Sequence, residues 1–82
     1  MPRYFFHLHN DVEAPDEEGR EMPDLATARA FTVHLARFTS AETIKDEGHF
    51  VPDHRIDIED ENGTVLDTVY FRDAVKIEGE SC

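Results

Sequence analysis

The sequence predicts an α+β fold: a small antiparallel β-sheet of three to four strands, in the order β-β-α-β-β, with one long helix packed on one face. Three observations predict it. Short runs in which apolar and polar residues alternate stand near both ends of the chain. Between them, Leu25, Ala28, Phe31 or Thr32, Leu35, Phe38 and Ala41 recur at helical spacing. Asp60-Glu61-Asn62-Gly63 is a hairpin signal between the last two strands. The 82 residues leave room for one domain, expected over 1–77, with 78–82 a frayed tail.

Each element has its own reasons. In residues 3–9, Tyr4, Phe6 and Leu8 fall on one strand face and Arg3, Phe5, His7 and His9 on the other. Residues 10–18 are polar and acidic, and Asp16 to Gly19 suits a type I turn closed by a left-handed glycine. A short strand follows at 20–22. Asp24 is a good N-cap, because its carboxylate can accept the free amides of a first helical turn. The helix runs to Glu47 and stops at Gly48. Thr39-Ser40-Ala41-Glu42 has capping-box spacing, so a break there, with a second short helix from Ala41, is the alternative.

Residues 54–60 form a strand in which Ile56 and Ile58 alternate with charges, and 64–71 return beside it. A three-residue loop closed by a glycine bulge sets Ile58 opposite Leu66 and Ile56 opposite Thr68. Residues 71–77 add a helical turn or a last short strand. In this register Tyr4, Phe6, Leu8, Ile56, Ile58, Leu66 and Tyr70 meet the helix. The other face carries Phe5, His7, Val65, Val69 and Phe71 beside Arg55, Asp57, Glu59 and Asp67. Nothing in the chain is left to cover that second face. An apolar patch of Phe5, Val65, Val69 and Phe71, rimmed by Arg55 and Asp67, therefore reads as a protein interface, and a homodimer is expected. A slip of one residue in the register would swap the faces.

Composition narrows the partners. Lys and Arg number 8 against 19 Asp and Glu, a net charge of −11. The arginines are scattered singly, so neither a polyanionic nucleic acid nor an anionic membrane surface finds the clustered cations it needs. A basic protein partner fits the field better. The single cysteine, Cys82, allows no intrachain disulfide. The first apolar run is too short for a signal-peptide core, and no 18-residue apolar stretch exists, which leads to the expectation of a cytoplasmic protein.

Candidate chemistry is sparse. His7 and His9, two apart on one strand face, have the spacing of a His-x-His metal site, with Asp11, His49 or His54 as a third ligand. The plainer reading is that both are ordinary polar residues at a strand end. The acidic stretches fail as EF-hand loops: placing Gly63 at position 6 puts Ile58 at position 1 and Val69 at position 12, and placing Gly19 there puts Ala14 at position 1. Cys82, Ser40 and Ser81 lack a nucleophile's surroundings, and the glycines are isolated, so no catalytic residue and no cofactor is expected. Asn62-Gly63-Thr64 has the form of a glycosylation site and reads as a turn.

Several blocks resemble, in the same order, an uncharacterised family of small bacterial proteins. They are Met-Pro-Arg-Tyr-Phe-Phe-His-Leu at the start, Asp16-Glu17-Glu18-Gly19-Arg20-Glu21-Met22-Pro23-Asp24-Leu25 with Ala28-Arg29, the Ile56 to Gly63 hairpin, and Phe71-Arg72-Asp73-Ala74. That family is a domain of unknown function, so the resemblance implies no activity, ligand or catalytic residue. The acidic turn and Pro-Asp-Leu before an Ala-rich helix are also similar to HicB-type antitoxin domains, which bind a small basic toxin. The chain departs from that pattern in lacking a Gly-Cys pair after Pro-Asp-Leu, the strand before the helix, and a C-terminal DNA-binding segment.

Overall fold

The computed structural model describes residues 1–10 and 14–75. The elements are β1 (Arg3–His9), β2 (Arg20–Glu21), α1 (Leu25–Glu47), β3 (Arg55–Glu59), β4 (Val65–Tyr70) and α2 (Phe71–Ala74). The strands form one antiparallel sheet in the spatial order β2-β1-β3-β4, and α1 lies across one face. The expected α+β class and element order are therefore the observed ones.

α1 is a single helix of 23 residues. Asp24 caps it, its Oδ1 accepting the Thr27 amide at 2.8 Å. Gly48 ends it in the left-handed region, φ 75°, its amide donating to the Ile44 carbonyl at 2.9 Å. No break occurs near Thr39, whose carbonyl instead accepts the Thr43 hydroxyl at 3.1 Å inside the helix. The buried stripe keeps Ala28 and Thr32 of the expected positions and continues through Ala36 and Ser40, spaced four apart, whereas Leu25 is exposed and Phe38 is 67% exposed. Small side chains let the helix backbone lie close to the sheet. The larger Phe31, Leu35 and Val33 pack along the flanks, with Phe31 tilted against Phe6 at 5.0 Å. At 1.5 Å per residue α1 is ~35 Å long, so it sets the long axis of a molecule measuring 42 × 24 × 17 Å.

The hairpin between β3 and β4 corrects the expected faces. Asp60 builds the turn: its Oδ1 accepts the Asn62 and Thr64 amides, both at 2.9 Å, and Gly63 closes it at φ 82°. Next to the turn Glu59 stands opposite Val65, as the loop geometry predicts. The register then shifts between Ile58 and Glu59, so Ile58 pairs with Asp67 and Ile56 with Val69. One extra residue in β4 accounts for the change, as in a β-bulge. Val69 (1% exposed) and Phe71 (2%) consequently sit in the core under α1, and Asp67 points to the helix, where its Oδ2 meets Arg29 at 2.8 Å. Leu66 and Tyr70, expected in the core, are exposed, as is Val65.

Residues 71–74 take the helical form of the two alternatives. The Phe71 amide donates to the His54 carbonyl at 2.9 Å, and Arg37 Nε donates to the Ala74 carbonyl at 2.7 Å, fastening α2 to the end of α1. His54 stands edge-on to the Phe71 ring at 5.6 Å. The expected frayed tail, 78–82, lies outside the described residues. The new face assignment is checked by urea denaturation. Phe71→Ala should lose about 3–5 kcal/mol as a large core truncation, whereas Val65→Ala should stay within about 0.5 kcal/mol of wild type.

Candidate functional site: the uncovered sheet face and its edges

Paired residues share a face of a sheet. The face away from α1 therefore carries Arg3, Phe5, His7 and His9 from β1, Arg55, Asp57 and Glu59 from β3, and Val65, Thr68 and Tyr70 from β4. Of the patch expected there, Phe5 is in place and half-buried, Val65 is in place and exposed, and Arg55 is where it was expected. Val69, Phe71 and Asp67 are on the opposite side for the reason given above. The result is a polar lattice instead of an apolar patch.

Its centre is Asp57, only 9% exposed. One carboxylate oxygen accepts the Thr68 hydroxyl at 2.9 Å and lies 3.5 Å from Arg55 Nε; the other is 3.1 Å from His9 Nε2. Three donors on one carboxylate offset the cost of burying it. His7 Nε2 stands 3.5 Å from Glu59 Oε1. The two histidines are thus adjacent, as their spacing implied, but each faces a carboxylate on the next strand. A shallow cavity of about 260 Å³ opens beside them, lined by His7, Leu8, His9, Pro15 and Glu59. Among the described residues no group of three or more His, Cys, Asp or Glu side chains is placed to hold a metal ion. Of the third ligands considered, His54 packs on Phe71, His49 is exposed in the connector, and Asp11 lies outside the described residues.

The two edges of the sheet are treated very differently. Along the outer edge of β1 the backbone groups are taken up in turn. The Met22 amide donates to the Pro2 carbonyl at 3.0 Å, Tyr4 pairs with Arg20, and Leu8 and Ala14 exchange bonds of 3.2 and 3.0 Å. Where β2 has already ended, Asp16 substitutes for a strand: its Oδ2 accepts the Phe6 amide at 3.2 Å. Its Oδ1 accepts the Glu18 and Gly19 amides at 3.2 and 3.1 Å, and its own amide donates to His7 Nδ1 at 3.0 Å. Gly19 is required in this turn. It has φ 71°, and a Cβ there would lie 2.8 Å from the Tyr4 carbonyl oxygen and 3.0 Å from the Phe5 ring.

The opposite edge is β4, six residues long, and among the described residues no strand pairs with its outer side. The Phe71 amide bonds inward to His54, so in this antiparallel ladder the backbone groups of Thr68 and Tyr70 point outward, as far as the bulge at Leu66. The Thr68 amide is held at 2.8 Å by Asp67 Oδ1, the same carboxylate that Arg29 grips from the helix. No helix among the described residues is long and apolar enough to cross a membrane.

These features define a small α+β domain with, among the described residues, one sealed sheet edge, one open edge and a polar sheet face. Residues 3–72 match the family model described as a domain of unknown function (DUF6894). The chain belongs to that family, as its resemblance to an uncharacterised family implied. No curated protein and no solved structure matches it.

The electrostatics of Asp16 give a pH prediction. Burial acts to raise its pKa, but the amides of Gly19, Phe6 and Glu18, with His7 nearby, outweigh it and hold the carboxyl below the usual carboxylate range. A depressed folded-state pKa contributes stability that is present above the unfolded value and lost as pH falls through the folded one. Asp16→Ala should therefore be less stable than wild type at neutral pH, and chemical denaturation should show the gap shrinking as pH falls below about 4. Gly19→Ala should lose more than about 1 kcal/mol at every pH, from the left-handed backbone alone.

Proposed function

We propose that this chain is a small non-enzymatic interaction module that pairs with a second copy of itself through the outer edge of β4. The carrying observation is the asymmetry of the sheet. The β1 edge is closed by backbone and by Asp16, while β4 keeps six residues free of any neighbouring strand among the described residues. Long free edges are normally blunted by proline, lysine, a bulge, an inward-pointing charge or a covering element, and of these β4 has the bulge near its start and Asp67 turned to the helix. Val65-Leu66-Asp67-Thr68-Val69-Tyr70 contains neither proline nor lysine, and its Val65, Leu66 and Tyr70 are exposed.

The strand is also self-complementary. An antiparallel pairing centred on Thr68 sets Asp67 opposite Val69 of the second copy and brings the exposed Leu66 and Tyr70 of each copy to the seam, with no like charges directly opposed. The two sheets join as one, with both helices on the same side. The cost is at the centre. Asp67 must release the Thr68 amide, which it can do while Arg29 still holds its other oxygen. This interface replaces the patch that the expected register drew, and its pairing keeps Val69 from that patch and Asp67 from its rim.

Native mass spectrometry on the wild-type chain tests the reading directly, because it reports subunit number, retained metal and co-purified protein together. A species of twice the 9.4 kDa chain mass is expected. Leu66→Glu with Tyr70→Glu should return it to monomer with its far-UV circular dichroism unchanged. A dimer that survives in this variant would move the contact elsewhere. A monomer carrying a stoichiometric basic protein would instead support the antitoxin-like reading, and a retained metal would support a site at His7 and His9.

A further inference from the structure

One hydrogen bond on the sealed edge has a protonation state built into it. A backbone amide always donates, so the Asp16 N–H at 3.0 Å requires a lone pair on His7 Nδ1. The imidazole is then neutral, with its proton on Nε2 facing Glu59 Oε1 at 3.5 Å. In the imidazolium both nitrogens donate. Nδ1–H would point at the Asp16 N–H, and the bond could not form.

The groups around the ring work in opposite directions. From β3, Asp57 stands directly across from His7 and Glu59 diagonally; from the turn before β2 comes the Asp16 carboxylate; on its own strand the nearest titratable side chain is His9. The Asp16 amide alone demands the neutral ring. Once protonated, His7 keeps its carboxylate partner on the Nε2 side and gives up Asp16. His9 behaves differently, because its Nε2 faces Asp57 and donates in either state.

What His7 holds is more than one amide. Residue 16 is the stand-in strand of the β1 edge, reaching Phe6 through Oδ2 and bracing Glu18 and Gly19 through Oδ1. Gly19 packs so tightly on the Tyr4 carbonyl and the Phe5 ring that the turn has little room to settle into a new position against β1. We propose that His7 is a proton-operated latch: neutral, it pins residues 14–19 to β1, and protonated, it loosens that segment and unseals the outer edge of the strand.

The test is amide exchange read residue by residue by NMR on the full chain. Because Asp16 titrates below the usual carboxylate range, it stays ionised through the histidine window, from about pH 7.5 to 5.5. Relative to Ile58, and after correction for intrinsic exchange, protection at Phe6 and Gly19 should fall about tenfold across that window, the worth of roughly one hydrogen bond. At the upper pH the ¹⁵N spectrum of the His7 ring should show Nδ1 unprotonated and Nε2 carrying the proton. His7→Gln should make the protection at Phe6 and Gly19 independent of pH, while His9→Gln should leave its pH dependence intact. A proton on Nδ1 at the upper pH, or protection that does not change in the wild type, would overturn the latch whatever the variants do.

Discussion

How closely α1 can lie on the sheet governs the whole helix side of the molecule, and four small residues decide it. Ala28, Thr32, Ala36 and Ser40 form the buried stripe, and Thr32 hides its hydroxyl by donating to the Ala28 carbonyl at 2.7 Å. With the helix backbone so near, the space between layers is filled from the sheet by Ile56, Ile58, Val69 and Phe6. Larger residues on the stripe would lift the helix and leave Ile56 and Ile58, both fully buried, without partners. The same closeness lets Arg29 reach Asp67 on β4 and Arg37 reach the Ala74 carbonyl. The packing of the layers and the guarding of the open edge therefore share one cause.

The parts of this fold that local chemistry controls were legible in the sequence. Asp24 and Gly48 mark the helix ends, the Asp60 to Gly63 turn forms where expected, and the alternation of β1 places His7 and His9 together. The parts set by tertiary packing were not. Val65-Leu66-Asp67-Thr68-Val69-Tyr70 is apolar in both phases, so nothing in its pattern announced the extra residue that moves Val69 inward and Tyr70 outward. In α1 the bulky Leu25 and Phe38 drew attention away from an alanine and hydroxyl stripe. At the candidate site, the turn at Asp16 could be read, but its reach to Phe6 and His7 depends on which chain segment lies beside β1.

Both edges of the sheet are managed by aspartates, in two different ways. Asp16 fills a gap where a strand has stopped, using its backbone and its carboxylate at once. Asp67 covers an outward amide on a strand that no other strand pairs on its outer side among the described residues, and it is itself tethered to the helix. An acidic composition here has a structural use beyond solubility: carboxylates replace missing backbone partners at the borders of a sheet too small to close on itself.

The length of α1 has a hydrodynamic consequence. A compact chain of this size would have a radius of gyration of about 12 Å, and this one has 13.4 Å. Such a body tumbles anisotropically, more slowly about its short axes than about its long one. Its friction in solution exceeds that of a sphere of equal mass, so a monomer would sediment slowly and elute early, in the direction that a larger particle would.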